Sequence, residues 1–150
     1  MQVAPIPPDY HTITPYLMAR GATQLLEFLR QAFDAETRGA TLGTNGSICN
    51  AEVRVGNSML MVSEVRDDST PPPSMFYLYV PDTDAVYRQA LDAGGVSLQE
   101  PADMFYGDRN AGVQDPCGNQ WWIATHVEDL TPEEIQQRAY LEEAKREAQN

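Results

Sequence analysis

The sequence predicts an α+β fold made of two βαβββ modules, and two observations lead to that prediction. The element order strand, helix, strand, strand, strand is found over about residues 12–65 and again over about 75–126. A Tyr-Leu pair in the first strand and a Gly-Asn pair before the last strand recur in both halves, 61 and 62 positions apart. A common order at a nearly constant period indicates internal duplication. At 150 residues the chain suits one domain with a sizeable core, so we expect a single domain over residues 1–150.

The first module opens with a strand over residues 13–19 and continues with a helix. Apolar residues recur in that helix at helical spacing, and Thr23 is its candidate N-cap. The apolar set is Leu25, Leu26, Phe28, Leu29, Ala32 and Phe33. Asn-Gly and Gly-Asn pairs then mark hairpin turns between three further strands. These strands are predicted over about 37–43, 47–55 and 58–62.

The second module follows a linker over residues 66–74, which is rich in proline and polar residues. A strand over 74–80 precedes a helix over 83–93, which Gly94 and Gly95 end. Three strands follow, over about 96–100, 104–113 and 120–125. Each module is expected to form a curled sheet with a helix on one face. Two such modules can enclose a shared concave surface, the usual shape of a small-molecule site.

A C-terminal helix is predicted over about residues 131–147. Thr131 and Glu134 fit a capping box, with Pro132 at the first helical position. The mixed charges of this segment are typical of a solvated helix. Its thin apolar stripe consists of Leu130, Ile135, Tyr140 and Leu141. The helix is therefore expected to pack either on the edge of the domain or on a partner subunit.

Composition and charge exclude several classes of protein. With 42% hydrophobic and 21% charged residues, the chain is globular rather than disordered. A net charge of −12 opposes binding to the phosphates of nucleic acid. The chain has no apolar run near the roughly 18 residues of a membrane span, and it starts without a signal-peptide pattern. We therefore expect no membrane partner and a cytoplasmic location, where Cys49 and Cys117 remain free thiols.

Two adjacent tryptophans, Trp121 and Trp122, lie in the last strand of the second module. Neighbouring side chains on a strand point to opposite faces of the sheet. The pair therefore needs two apolar environments, of which only one is the core between sheet and helix. The second environment is a candidate binding surface.

The order of motifs around these tryptophans resembles a known family. The stretches YHTITPYLMARGATQLLEFLRQAFDAE (residues 10–36) and FYGDRNAGVQDPCGNQWWIATHVED (residues 105–129) are similar to the PhnB-like branch of the vicinal oxygen chelate superfamily, which has the glyoxalase/bleomycin resistance/dioxygenase fold. The resemblance covers about residues 12–126. It implies paired βαβββ modules around a cavity, but several chemistries occur on this fold, so the fold alone does not define the function.

The resemblance also locates the positions that hold a divalent metal ion in metallated members of the superfamily. In this chain they carry Thr14, about Leu60, Met75 and Trp122. These side chains do not supply the donors that a divalent cation needs, so neither a metal nor another cofactor is expected. Trp122 is then expected to face the cavity, either as a stacking surface for a ligand or as a plug that fills it, while Trp121 faces the core.

Five further side chains are candidates for the ligand-binding surface. Tyr16 and Tyr77 align across the repeat and are expected on the cavity face, either as hydrogen-bond donors to a ligand or as interior tyrosines with satisfied hydroxyls. Asn50 is a polar residue in mid-strand, which hints at the cavity lining. Tyr106 and Arg109 belong to the YGDR stretch. Arg109 either clamps an anionic ligand or forms a salt bridge that supports the fold.

The only histidines are His11 and His126. His126 ends the last strand, with Glu64 as its approximate counterpart in the first module. A histidine at such a rim serves either as a general base or as a structural residue.

These features predict a metal-independent protein that binds a small, partly apolar or aromatic molecule, resembling the drug-sequestering members of the superfamily. The resemblance also implies a homodimer, with the cavity completed across subunits. One alternative is a metal-free isomerase, cyclase or lyase that uses the cavity tyrosines or His126 for acid–base chemistry. Another is a degenerate member whose cavity Trp122 closes.

Overall fold

The computed structural model describes residues 2–150, which form two four-stranded sheets and three helices. The first-module elements are β1 (Tyr16–Ala19), α1 (Ala22–Phe33), β2 (Glu36–Leu42), β3 (Ile48–Val55) and β4 (Ser58–Glu64). The second-module elements are β5 (Met75–Tyr79), α2 (Thr83–Asp92), β6 (Val96–Asp103), β7 (Asp108–Gln114) and β8 (Gln120–His126), and α3 (Pro132–Ala148) follows. The predicted α+β fold is confirmed.

The two sheets have the same topology. Their strand orders are β1-β4-β3-β2 and β5-β8-β7-β6, and the first strand of each module pairs in parallel with the last. Tyr16 lies opposite Met61 in the first sheet, and Tyr77 lies opposite Trp122 in the second. Both pairs are related by the same shift of 61 positions, which fixes the structural equivalence of the two halves.

One hydrophobic core joins the modules. The faces of both sheets that carry the helices contribute to it, together with the inner sides of α1 and α2. Phe33 at the end of α1 contacts Trp121 of β8, with ring centroids 5.2 Å apart. The Gln89 side chain in α2 donates a hydrogen bond to the carbonyl of Gln31 in α1, at 2.8 Å. Contacts made by α1 and α2 therefore connect the two modules on the side of the sheets that carries the helices.

The N-terminus of α1 is capped differently from the prediction. Thr23 lies inside the first turn and is exposed, so the prediction that it caps the helix was wrong. The cap is the carboxylate of Glu64, which accepts hydrogen bonds of 3.0–3.1 Å from the backbone N–H groups of Gly21 and Ala22. A carboxylate at this end of a helix also interacts favourably with the helix dipole.

The second module uses Thr125 at the position equivalent to Glu64. The Thr125 hydroxyl accepts a hydrogen bond from the backbone N–H of Thr83, at the start of α2. The counterpart of Glu64 is therefore Thr125 and not His126, contrary to the approximate alignment made from the sequence. In both halves the last strand supplies the group that holds the start of the helix.

Two strand boundaries moved for local reasons. Strand β1 begins at Tyr16 because Pro15, which has no N–H donor, contributes only its carbonyl, accepting from Met61 at 2.9 Å. Strand β7 begins at Asp108, later than predicted, because residues 104–107 form the turn of its hairpin with β6. Gly107 has φ +95° in that turn, a conformation that favours glycine.

Helix α3 projects with little support from the rest of the domain. The Thr131 side chain accepts from the backbone N–H of Glu134 at 3.1 Å, so the predicted cap is confirmed. The Arg138 side chain holds the helix through ion pairing with Glu128, at 3.0 Å. Tyr140 and Leu141 are each 64% exposed.

In residues 2–150 no helix has both the length and the apolarity needed to cross a bilayer.

Candidate functional site

Each sheet has an open face, by which we mean the face opposite its helix. Large apolar and aromatic side chains line these faces and remain accessible to solvent. Their exposed fractions are 50% for Tyr16, 44% for Met18, 65% for Met75, 42% for Tyr77 and 62% for Tyr79. Exposed apolar side chains grouped on one face of a sheet make that face a candidate binding surface.

The open face of the second sheet contains a pocket of about 230 Å³, which we call the second-module pocket. It is lined by Met75, Tyr77, Gln99, Met104, Tyr106, Asn110 and Trp122. Four residues predicted from the sequence, Met75, Tyr77, Tyr106 and Trp122, are thus brought together. The pocket combines aromatic rings, two thioethers and two amides.

Trp122 forms the floor of this pocket and is half-buried. Its ring lies flat over Gly112 of the adjacent strand β7, where an added Cβ would approach the ring to 2.8 Å. Glycine at this position therefore creates the space that the indole occupies. Trp121 lies on the opposite face, is 2% exposed and stacks on Phe76 with centroids 4.6 Å apart. Strand alternation thus placed both tryptophans correctly.

A hydrogen-bond network fixes the polar side of the pocket. Tyr77 donates to the Asp108 carboxylate at 2.8 Å, and its oxygen accepts from the Asn110 amide at 3.3 Å. The same amide donates to the Tyr106 oxygen at 2.6 Å, and the Gln99 amide donates to the side-chain oxygen (Oδ1) of Asn110 at 2.8 Å. Burial raises the pKa of Tyr77 above its ordinary value, and the bond to Asp108 adds to this effect, so the phenol stays protonated.

Tyr106 differs from Tyr77 in the use of its proton. Its oxygen accepts from Asn110, and within residues 2–150 its O–H donates no hydrogen bond of ordinary geometry, although the phenol of Tyr77, already bonded to Asp108, lies close to it. Because the side chain lines the pocket, this O–H is available to a ligand. Tyr106 is therefore a candidate hydrogen-bond donor in the second-module pocket.

The rim beside the pocket carries His126 between two carboxylates. Its Nδ1 lies 3.0 Å from Asp108 and its Nε2 lies 2.8 Å from Asp129. Hydrogen bonds to Asp129 and then to Asp108 raise the pKa of His126 above its ordinary value. Burial raises the pKa of Asp108, but hydrogen bonds from His126, Tyr77 and Tyr79 outweigh it, and the net pKa is lowered.

We expect the imidazole of His126 to titrate above its ordinary pKa of about 6.5. The charged imidazole stabilises the folded state. This stabilisation is fully present below pH 6.5, the ordinary pKa, and is lost as the pH rises through the higher pKa that His126 has in the folded protein. The opposite holds for Asp108, whose contribution is lost as the pH falls through its lowered pKa. An NMR titration of the His126 ring protons checks this prediction. Asp129→Asn, at a fully exposed position, should lower the measured pKa, and an unchanged value would contradict the assignment.

The first module repeats part of this arrangement. The Asn50 amide donates to the Tyr16 oxygen at 3.3 Å, as the equivalent Asn110 amide does to Tyr77. Hydrogen bonds from Ser63 and Asn50 lower the pKa of Tyr16. Thr14 is half-buried in the segment just before β1. These three predicted residues lie on the first sheet or beside it, while the lining of the second-module pocket comes from the second module alone.

The equivalent of Gly112 in the first sheet is Glu52. Gly112 lies opposite Trp122 in the second sheet, and Glu52 lies opposite Met61, the counterpart of Trp122, in the first. The phenol of Tyr10 donates to the Glu52 carboxylate at 2.7 Å. Burial and this bond raise the pKa of Tyr10 to about 12. The N-terminal segment is thereby attached to the open face of the first sheet.

Two predicted site residues lie elsewhere. Leu60 is 5% exposed and belongs to the core, so its expected place on the cavity face was wrong by one position. The register places Met61 on the open face, opposite Tyr16. Arg109 points to the helical side and forms ion pairs with Asp84 of α2 at 3.0 Å and Asp103 of β6 at 3.2 Å. Its alternative role as a structural salt bridge is the one that the geometry supports.

Sequence reasoning did not identify Asn110, Gln99 or Asp108 as site residues. Asn110 is 3% exposed and Asp108 is 4% exposed, and both lie on the open face of β7. The available signal was the mid-strand asparagine: Asn110 is the counterpart of Asn50. The late start of β7 at Asp108 hid that equivalence.

The positions that would hold a metal ion do not fit one. On the register of the structure they carry Thr14, Met61, Met75 and Trp122, which offer one hydroxyl, two thioethers and an indole. Hard or borderline divalent ions prefer carboxylates and imidazoles. Across residues 2–150, His, Cys, Asp and Glu form no group of three or more that is suitable for a metal ion.

Comparison with known proteins adds a family to this geometry. The model of the Glyoxalase/Bleomycin resistance protein/Dioxygenase superfamily matches residues 11–123. An uncharacterised protein of Mycobacterium bovis is 29% identical over 135 residues, which cover 83% of this chain and 89% of that protein.

Two solved structures share the fold at low identity. A PhnB protein from Bacillus cereus, described as a putative 3-demethylubiquinone-9 3-methyltransferase, is 18% identical with a TM-score of 0.58, covering 77% of this chain and 99% of its own. The fosfomycin resistance protein FosX from Listeria monocytogenes, solved with Mn(II) and dihydroxypropylphosphonic acid, is 14% identical with a TM-score of 0.61. The alignment covers 84% of this chain and 94% of FosX. At these identities the likeness concerns the fold alone.

Proposed function

This chain belongs to the glyoxalase/bleomycin resistance protein/dioxygenase superfamily, and on that premise we propose that it binds a small, flat, partly aromatic molecule without a metal ion. The observation that carries the proposal is the second-module pocket. Its floor is the half-buried indole of Trp122, and its wall presents the O–H of Tyr106. An aromatic floor with one polar anchor suits a planar ring that bears a carbonyl or another hydrogen-bond acceptor.

Two features favour binding over acid–base catalysis. Tyr77 is held protonated by its burial and by its bond to Asp108, so it is a poor general base. Both ring nitrogens of His126 are bound to carboxylates, which leaves neither free for a substrate proton. The open volume of about 230 Å³ also favours binding over the alternative in which Trp122 closes the cavity.

The proposal includes a homodimer. The open faces of both sheets expose apolar side chains, among them Met18, Met75 and Tyr79. A second copy that covers these faces would remove this surface from water and enclose the pocket. Burial of apolar area drives such association, and a two-fold arrangement satisfies both copies at once. The proposed location is the cytoplasm, where both cysteines stay reduced.

Native mass spectrometry of the purified protein tests these points together. We expect the mass of a dimer, no stoichiometric divalent metal and a retained organic molecule or an empty pocket that accepts one. Coumarin, a planar ring with a carbonyl, is a suitable probe. It should bind the wild-type protein saturably and quench its tryptophan fluorescence.

Matched variants identify the anchor. Tyr106→Phe keeps the ring and removes the O–H, so coumarin affinity should fall by about ten-fold, the effect of one lost hydrogen bond. Tyr140→Phe removes the same group at an exposed site on α3 and should have no effect. Equal affinities of the two variants, or one tightly bound metal ion per chain, would overturn the proposal.

A further inference from the structure

A second cavity lies at one end of the first sheet, and the proposed function does not use it. It has a volume of about 430 Å³ and lies between the β2–β3 hairpin and the end of β4. We call it the hairpin pocket. Its lining consists of Gly43, Thr44, Asn45, Ser47, Ile48, Cys49, Glu64, Val65 and Arg66. It shares no residue with the second-module pocket.

Arg66 gives this pocket its chemical character. Within residues 2–150 its guanidinium forms neither an ion pair nor a hydrogen bond, although the chain has 22 acidic residues and only 10 basic ones. Most other basic side chains, such as Arg30, Arg109 and Arg138, are paired with carboxylates. An unpaired guanidinium beside a cavity retains its five N–H donors for a ligand.

The hairpin adds neutral polar groups to the same pocket. The Asn45 side-chain oxygen accepts from the backbone N–H and the hydroxyl of Ser47, at 3.1 Å and 2.6 Å. These bonds use the amide oxygen of Asn45 and leave its NH₂ group as a donor. Thr44 contributes a hydroxyl to the lining. The hairpin can therefore donate hydrogen bonds to a ligand held by Arg66.

The one carboxylate in the lining, Glu64, is already bonded to the start of α1. Both of its oxygens accept backbone N–H groups at the start of α1, where the helix dipole offsets the negative charge. The positive charge of Arg66 also acts on Tyr16, another residue of the first module. After the hydrogen bonds from Ser63 and Asn50, it is a further cause of the lowered pKa of Tyr16.

We propose that the hairpin pocket binds a small carboxylate through the guanidinium of Arg66, assisted by the side chains of Thr44 and Asn45. A planar guanidinium matches a planar carboxylate with two parallel hydrogen bonds, whereas phosphate carries more charge than one arginine neutralises. The pocket volume of about 430 Å³ leaves room for a ring or short chain beyond the carboxylate.

A titration with benzoate at constant ionic strength tests the site, followed by NMR at the backbone amides of residues 43–47. We expect saturable shifts in the wild-type protein and a loss of affinity of at least about ten-fold in Arg66→Gln, because charge-assisted hydrogen bonds are removed. Arg88→Gln is the matched control, since Arg88 is exposed and also unpaired in the described chain, and it should bind as the wild type does. Arg66 is exposed and forms no hydrogen bond or ion pair within the described chain, so neither substitution threatens folding.

Alkylation of Cys49 gives an independent measurement, because this thiol lines the pocket. Iodoacetate carries a carboxylate and iodoacetamide does not, so Arg66 should raise the rate ratio of the two reagents at Cys49. Arg66→Gln should lower that ratio, and Arg88→Gln should not. Cys117 serves as an internal reference, since burial and the nearby carboxylates of Asp115 and Glu64 raise its pKa to about 11.

Three results would overturn the proposal: unchanged benzoate affinity in Arg66→Gln, tighter binding of inorganic phosphate than of benzoate, or an iodoacetate preference that persists without Arg66. None of these results bears on coumarin binding, because the two pockets have different linings. A failure of either proposal is therefore distinguishable from a failure of the other.

Discussion

Trp121→Ala should reduce the free energy of unfolding by about 3–5 kcal/mol, whereas Trp122→Ala should cost only about 1–2 kcal/mol. Trp121 is 2% exposed, stacks on Phe76 and contacts Phe33 of the other module. Its removal would leave a cavity where the two halves meet. Trp122 rests on Gly112 on one side and faces the open pocket on the other, so fewer contacts are lost.

Denaturant melts of both variants measure the difference directly. The slope of the transition should remain that of the wild type, so that the midpoints report stability. Trp122→Ala should weaken the binding of coumarin by about 1 kcal/mol or more, because the stacking surface is lost. If Trp122→Ala destabilises the fold as much as Trp121→Ala does, Trp122 is a core residue and the pocket loses its floor.

Asp115→Ala should lower the free energy of unfolding by about 3 kcal/mol, because several buried donors lose the acceptor that they share. This is the second large effect on stability that we expect. The Asp115 side chain is the centre of the turn between β7 and β8 and is 4% exposed as a residue. It accepts hydrogen bonds from Cys117 N–H at 2.8 Å, Asn119 N–H and amide at 3.0 Å, and the indole N–H of Trp121 at 2.8 Å. Asn119 in turn accepts from the backbone of Ser74, which joins the turn to the start of β5.

Asp67→Ala is the matched control for this prediction. The Asp67 carboxylate also accepts a backbone N–H two residues on, at 2.8 Å, but at an exposed site. Its loss should change the stability by no more than about 0.5 kcal/mol. Thermal or denaturant unfolding of the two variants compares them. Similar losses would show that burial of the Asp115 network contributes little.

The features that the sequence predicted correctly are those that depend on local patterns. Strand alternation placed Trp121 and Trp122 on opposite faces, and the turn residues separated the strands. Other features depend on partners that are distant in the chain, and these were not predicted. The cap of α1 comes from Glu64, more than forty positions away from Gly21, and the partner of Arg109 is Asp84 on another element. Leu60 was misplaced because a one-residue error in register moves a strand residue to the other face.

The polar side of the second-module pocket could not be read from the sequence for a related reason. The sequence gives no sign that Asp108 is buried, because its burial depends on Tyr77 and Tyr79 of β5, which lie close enough to donate to it. The aromatic part of the site was predictable because a tryptophan in a strand must occupy one of two faces. The hydrogen-bond network was not, because it depends on the neighbouring strands.

The attachment of Tyr10 to Glu52 has a consequence for stoichiometry. The two halves descend from one pattern, yet at equivalent points of their open faces one carries Glu52 and the other Gly112. In the first half the carboxylate secures the N-terminal segment, and in the second the absent side chain makes room for an indole. The duplicated surfaces have thus diverged into an anchoring half and a receptive half. Under the proposed function, this asymmetry predicts one flat aromatic ligand per chain instead of two, and two per proposed dimer instead of four.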